Sequence, residues 1–167
     1  MIEVVIDSIR ISLISQHRIV MLRDIDGERQ LPIWIGPCEA EAITIELQDV
    51  EIARPVTHDL LTNVITDMGG TVSHILINEL KEQVYFARLF VDVDGRMLEI
   101  DCRPSDAIAV AVRAKVPVFV DESVLDEAGI IPEPDIDEED AGEGAESLGA
   151  FKDFVDTLDF DDFEGDE

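Results

Sequence analysis

The stretch RPSDAIAVAVR, Arg103 to Arg113, constrains the fold more than any other part of the chain. Pro104 cannot continue a helix backwards, Ser105 suits an N-cap, and Asp106 suits the positive end of a helix dipole. The residues that follow, Ala107, Ile108, Ala109, Val110, Ala111 and Val112, leave no polar face. A helix of this kind has to be buried. Its small alanines let it lie close against a sheet.

Strand patterns surround it. In MIEVVIDSIRISLI the residues Ile2, Val4, Ile6, Ile9, Ile11 and Leu13 are apolar, with a change of register near Asp7–Ser8. That is a strand with a bulge. RIVMLRD reads as a second strand, and in DIDGERQLPIWI the Asp26-Gly27 turn leads into a third. Gly36-Pro37 introduces a helix in which Ala40, Ile43, Leu47 and Val50 have helical spacing. A further helix follows Thr57, a good N-cap, with Leu60, Leu61, Val64, Ile65 and Met68 on one stripe and Gly69-Gly70 at its end. TVSHILINEL, VYFARLFVDV and RMLEIDC read as strands, the last two joined by the Asp94-Gly95 turn. VPVFVD is a short closing strand, and ESVLDEAG makes one or two helical turns.

The order of these signals recurs. DGERQLPIWIGPCEAEAI and DGRMLEIDCRPSDAIAV both run from an Asp-Gly turn through a strand and a proline to alternate alanines, which aligns Glu39 with Asp106. Two related hairpin–strand–helix units, or a chance match over a short gapped stretch, account for it. The fold expected is α+β, with mostly antiparallel strands and three main helices.

Charge divides the chain. Of its 167 residues, those through Ile130 hold 11 basic and 23 acidic side chains, and those from Ile131 onward hold 1 and 16. The expected division is therefore a domain over 1–130 and an acidic linker with a short amphipathic tail over 131–167. In the tail, Phe151, Phe154, Val155 and Leu158 fall at helical spacing, a pattern suited to docking on the protein itself or on another protein. The formal net charge is −27 and only three lysines occur, Lys81, Lys115 and Lys152. An acidic interaction tail is one explanation. A salt-rich cytoplasm, where screening tolerates dense carboxylates, is the other, and lysine scarcity throughout favours it. No apolar run approaches the length of a membrane span and no signal-peptide pattern opens the chain, so the expected location is cytoplasmic. Cys38 and Cys102 form no metal pattern and read as isolated buried thiols.

Two segments can carry chemistry. His58-Asp59 follows Arg54-Pro55 and lies in the first turn of a helix, where unpaired N–H groups favour anions. Asp101, Arg103 and Asp106 place an acid, an arginine and a second acid at a strand-to-helix junction. Such a set can bind a metal and a phosphate, or form a structural ion-pair network. His17 and His74 lack metal-ligand spacing and read as structural.

LPIWIGPCEAEAI, RPVTHDLL, IDCRPSDAIAVAVR and VPVFV occur in this order and spacing. Together they resemble the bifunctional nuclease (BFN) domain family over about residues 1 to 130. The resemblance implies an α+β fold, a homo-oligomer with a dimer favoured, and cleavage of RNA and DNA. The polar positions it marks are Glu39, Arg54, Thr57, His58, Asp59, Asp101, Arg103, Ser105 and Asp106. As a nuclease the chain would use His58, Asp59, Asp101 and Asp106 in catalysis, and Arg54, Arg103 and Ser105 on the substrate. Glu39, Asp59 and Asp106 would hold Mg²⁺ or Mn²⁺, the metals that suit oxygen ligands. The strong negative charge departs from the usual nucleic-acid enzyme. The alternative is a non-enzymatic oligomeric module whose acidic tail recruits a partner.

The charge yields a first prediction. A chain at −27 repels itself, and screening relieves that repulsion. Raising KCl from low to molar concentration should raise the melting temperature in a thermal scan, whereas an unchanged or lower value removes the high-salt reading.

Overall fold

A computed structural model describes residues 1–12 and 17–132, and Met1–Pro132 forms one unit. The amphipathic tail segment expected from the sequence lies outside the described residues. Strands β1 (Ile2–Ile11), β2 (Arg18–Asp24) and β3 (Gln30–Ile35) form one antiparallel meander. Helices α1 (Pro37–Leu47) and α2 (Thr57–Asp67) follow. A second meander comprises β4 (Gly70–Lys81), β5 (Val84–Val93) and β6 (Arg96–Cys102), and leads into α3 (Pro104–Ala114). The chain continues as β7 (Val118–Val120) and α4 (Glu122–Ala128).

One seven-stranded sheet results, in the order β3-β2-β1-β7-β4-β5-β6. The short β7 joins the two meanders. It pairs antiparallel with β1 and parallel with β4, which is the one parallel ladder among the described strands. Each meander runs hairpin, strand, helix, and each places its last strand, β3 or β6, at an edge of the sheet.

Local chemistry explains the turns. The ladder between β1 and β2 shifts register between Ile6 and Ser8, where the alternation of apolar residues breaks. Asp94 and Gly95 both have positive φ, 53° and 79°, as a two-residue hairpin turn between right-twisted strands demands. The β4–β5 turn has the same backbone without a glycine: Glu82 and Gln83 sit at φ 49° and 66°. Pro37 and Pro104 open α1 and α3 at the first helical position, where a missing N–H costs nothing. Gly69, at φ 82°, ends α2 in the left-handed conformation.

Helix α3 is the centre of the packing. It lies against β4 and β5 and between α1 and α2. Ala107 through Ala111 are all 1% exposed or less, as a helix without a polar face requires. Leu22, Leu31, Ile43, Ile75, Ile77 and Leu125 complete the core.

Three expectations are corrected. The described residues hold four helices, not three. Asp121 caps α4 by accepting the Ser123 N–H at 3.1 Å and its hydroxyl at 2.8 Å, and Val124 and Leu125 are buried in the core. The one or two turns read at ESVLDEAG are thus a capped helix of seven residues, packed into the core as a fourth element. Second, the N-caps stand before Thr57 and Ser105, at Val56 and Arg103, and Ser105 is a buried residue of the first turn of α3. A proline at the first helical position moves the boundary of α3 forward by two residues. Third, the apolar stripe on α2 is largely not the face it buries. Leu60, Leu61, Val64 and Met68 are exposed, while the one buried residue of α2 is His58.

The β4–β5 turn supplies a prediction. A side chain at positive φ costs about 1–2 kcal/mol, partly offset by the greater entropy a glycine loses on folding. Gln83→Gly should therefore raise stability by about 0.5–1 kcal/mol, read as a higher urea midpoint with an unchanged slope.

Candidate functional site

The first turns of α1, α2 and α3 meet at one place. Each helix start carries unpaired N–H groups and the positive end of a helix dipole. Each also contributes a polar side chain: Glu39 from α1, His58 from α2, and Asp106 from α3, with Arg103 at the cap of α3.

Arg103 joins the set. Its Nε donates to Asp106 Oδ2 at 2.8 Å, and its Nη2 donates to Asp106 Oδ1 at 3.0 Å and to Glu39 Oε1 at 2.6 Å. No partner is seen for Nη1 among the described residues, and the side chain is 66% exposed. His58 Nε2 lies 3.3 Å from Asp106 Oδ1. The result is a continuous chain, Glu39–Arg103–Asp106–His58. Gly36 makes room for it: a Cβ there would stand 2.2 Å from Glu39 Oε2.

Charges follow from these contacts. Burial works to raise the Asp106 pKa, but hydrogen bonds from Arg103 and His58 outweigh it and hold the carboxyl below the ordinary aspartate range. The hydrogen bonds to Asp106 and Glu39 raise the Arg103 pKa further. An ionised Asp106 only accepts, so His58 Nε2 must be the donor, and the neutral ring then carries its lone pair on Nδ1.

Asp59 belongs to a different arrangement. Its Oδ2 accepts the Val56 N–H at 2.8 Å, closing the start of α2, and its Oδ1 accepts from Arg113 Nε at 2.5 Å. Arg113 is 5% exposed and donates also to Ala109 O at 2.8 Å and Ala42 O at 3.1 Å. Burial would raise the Asp59 pKa, but the Val56 N–H and Arg113 outweigh it and the group lies below its usual range. Sequence reasoning gave Arg113 no role. The available signal was one arginine at the end of a helix with no polar face, seven residues after Asp106 and thus on its side of the helix.

The remaining sequence candidates scatter. Asp101 is exposed on β6 and pairs with Arg88 at 3.5 Å. Arg54 is exposed in the loop before α2, and Ser105 is buried. Cys38 is exposed, not buried as expected, because it sits in the first turn of α1 facing the cavity. Cys102 is half-buried, and burial with the nearby Asp101 and Asp106 pushes its thiol up to about 11.

A cavity of about 380 Å³ opens over the cluster, lined by Cys38, Glu39, Thr57, His58, Arg103 and Asp106 among others. The donors of a divalent metal do not assemble there. Among the described residues no three His, Cys, Asp or Glu side chains group as a metal site. Glu39 and Asp106 both point their oxygens at the Arg103 guanidinium, a cation already in place between them. Asp59, with both oxygens engaged by Val56 and Arg113, is not part of that set.

Comparison with known proteins bears on what this geometry serves. The bifunctional nuclease domain matches residues 20–133. An uncharacterized protein of Mycobacterium tuberculosis is 38% identical over 162 residues, covering 96% of this chain and 97% of its own length. Bifunctional nuclease 2 of Oryza sativa subsp. japonica is 36% identical over 115 residues, covering 66% of this chain and 35% of that protein. Bifunctional nuclease 1 of Arabidopsis thaliana is 32% identical over 112 residues, 65% and 34% respectively. The chain thus spans about a third of the length of the plant proteins and nearly the whole of the mycobacterial one. By the extent of these matches, the chain belongs to the bifunctional nuclease domain family.

Proposed function

We propose that the chain hydrolyses phosphodiester bonds of single-stranded or otherwise accessible RNA or DNA at the Glu39–Arg103–Asp106–His58 cluster. The observation that carries the reading is the convergence of three helix starts on one cluster, in which Glu39 and Asp106 hold the Arg103 guanidinium and His58 meets Asp106. A phosphate is an anion, and the two-thirds exposed Arg103 guanidinium at these helix starts is the group of the cluster that can pair with it.

The roles follow from the contacts. Glu39 and Asp106 fix the plane of Arg103, leaving Nη1 to bind a non-bridging phosphate oxygen and stabilise the charge that builds there. Asp106 orients His58, whose Nδ1 takes the proton of an attacking water. The proton is returned to the departing oxygen as the P–O bond breaks. Asp59 acts through Arg113 as a positioning residue, holding α2 so that His58 meets Asp106. No helix of the described residues is long and apolar enough to cross a membrane. A cytoplasmic setting agrees with two free cysteines.

A second reading concerns assembly. The exposed apolar side chains of α2 and those of the edge strand β6, Met97 and Ile100, form a surface that a second copy would cover. Light scattering in molar KCl should give a dimer or larger species, and Leu61→Asp should shift it toward monomer. A wild-type monomer at micromolar concentration refutes this.

For catalysis, His58→Ala and Asp106→Asn should each leave a cooperatively folded protein. Each should lower the rate of oligonucleotide cleavage at least tenfold, the equivalent of about 1.4 kcal/mol of transition-state stabilisation. Because Arg103 occupies the place between the carboxylates, EDTA should leave wild-type cleavage within twofold. A tenfold loss with EDTA would show that a divalent metal, not the guanidinium, bears the phosphate.

Asp59→Asn should behave differently. It leaves the buried Arg113 without its ion-pair partner and should cost about 3 kcal/mol of stability at neutral pH. Asp59 has a lowered pKa in the folded state, so its stabilisation is present at neutral pH and is lost as pH falls through about 4 and below. Denaturation curves of wild type and variant should therefore converge toward pH 2. A constant gap across that range would refute the ionic role.

A further inference from the structure

Trp34 has no place in the hydrolysis just described, yet the fold presents it openly. It is the one tryptophan of the chain and it is 59% exposed, on the edge strand β3. His17 meets it edge-on, with centroids 5.6 Å apart and planes at 89°, which fixes the ring without covering it. A cleft of about 250 Å³ separates β3 from the tip of the β4–β5 hairpin, and Trp34, Gly36, Gln83, Tyr85, Arg103 and Ser105 line it. Its two walls are joined by the Tyr85 hydroxyl, which donates to Pro32 O at 3.5 Å. Arg103 is the wall this cleft shares with the His58 cavity.

We propose that Trp34 is a base-stacking platform beside the hydrolytic site, taking an unpaired nucleobase of a strand whose phosphate lies on Arg103. The inference rests on the nuclease reading and names its substrate as unpaired nucleic acid. A flat aromatic next to a phosphate-binding arginine matches the two recurrent elements of single-strand recognition, a π-face for the base and a cation for the backbone. A base inside a duplex keeps both faces stacked and has none to offer the indole. Charge makes the platform necessary. At low salt the net charge of −27 repels a polyanion, and the salt that relieves this repulsion also screens Arg103. Stacking survives both conditions, so it is the contact that can hold a strand on this surface in molar KCl.

The single tryptophan makes the test direct, because all indole fluorescence reports on this position. The full chain is titrated in molar KCl with a short single-stranded phosphorothioate oligonucleotide and with a blunt duplex of the same length. Saturable quenching by the single strand and little by the duplex is expected. In cleavage assays on a single-stranded substrate, Trp34→Ala should raise KM at least fivefold with kcat within twofold, and Trp34→Phe should restore KM to within twofold of wild type. Melting temperatures of both variants check folding, and if Trp34→Ala fails to fold, the wild-type titration and Trp34→Phe decide. Absence of quenching, equal quenching by the duplex, or an unchanged KM in Trp34→Ala overturns the platform. If His58→Ala still abolishes cleavage, the nuclease reading stands without it. Quenching by single strands in a chain that cleaves no nucleic acid would instead overturn the nuclease reading and leave Trp34 as a binding site.

Discussion

The buried guanidinium of Arg113 holds the three helices of the site together. It donates to the Asp59 carboxylate at the start of α2, to Ala42 O in α1, and to Ala109 O one turn back in its own helix. A charge so nearly removed from water is tolerated only when its donors are satisfied and its counterion is close. Satisfying Arg113 therefore fixes where α1 and α2 lie against α3. The helix starts can meet only in that arrangement, and the cluster around Arg103 depends on it.

Two arginine–carboxylate systems on the same helix do different work. Arg113 is buried, and its partners are structural. Arg103 is two-thirds exposed, and its partners, Glu39 and Asp106, come from helix starts that face a cavity. An exposed ion pair contributes little to stability, so the Arg103 network is poorly explained by folding alone. Its value lies in orientation. Three hydrogen bonds hold the guanidinium, and no partner is seen for Nη1 among the described residues.

The acidic surface sets the terms on which such a site can work. At low salt a chain at −27 repels phosphates, and the proposed site has the Arg103 guanidinium to offer them. Specific capture then favours contacts that salt does not weaken. The exposed indole of Trp34 beside Arg103 answers that need, and it stands on β3, the strand that leads directly into Gly36, Pro37 and Glu39. Trp34 and Glu39 thus come from one short stretch of chain, whereas His58, Arg103 and Asp106 come from two others.

Much of this was legible in the sequence. The unbroken run Ala107–Val112 announced the buried helix, the Asp94-Gly95 pair announced a tight hairpin, and the broken alternation at Asp7–Ser8 announced the bulge, because each is dictated by contacts within a few residues. The polar residues at the two helix starts were also visible. Their partners were not. Asp59 and Asp106 are both acids in the first turn of a helix, alike to any local argument. One faces Arg113 and the other faces Arg103 and His58, across 54, 3 and 48 residues of chain respectively. The fourth helix and the exposure of the α2 stripe were likewise decided by what packs against them. Hydrogen bonds between neighbours in sequence fix the elements. Which carboxylate becomes a structural counterion and which faces an open cavity is settled only when the helices are brought together, because burial and pairing belong to the assembled core.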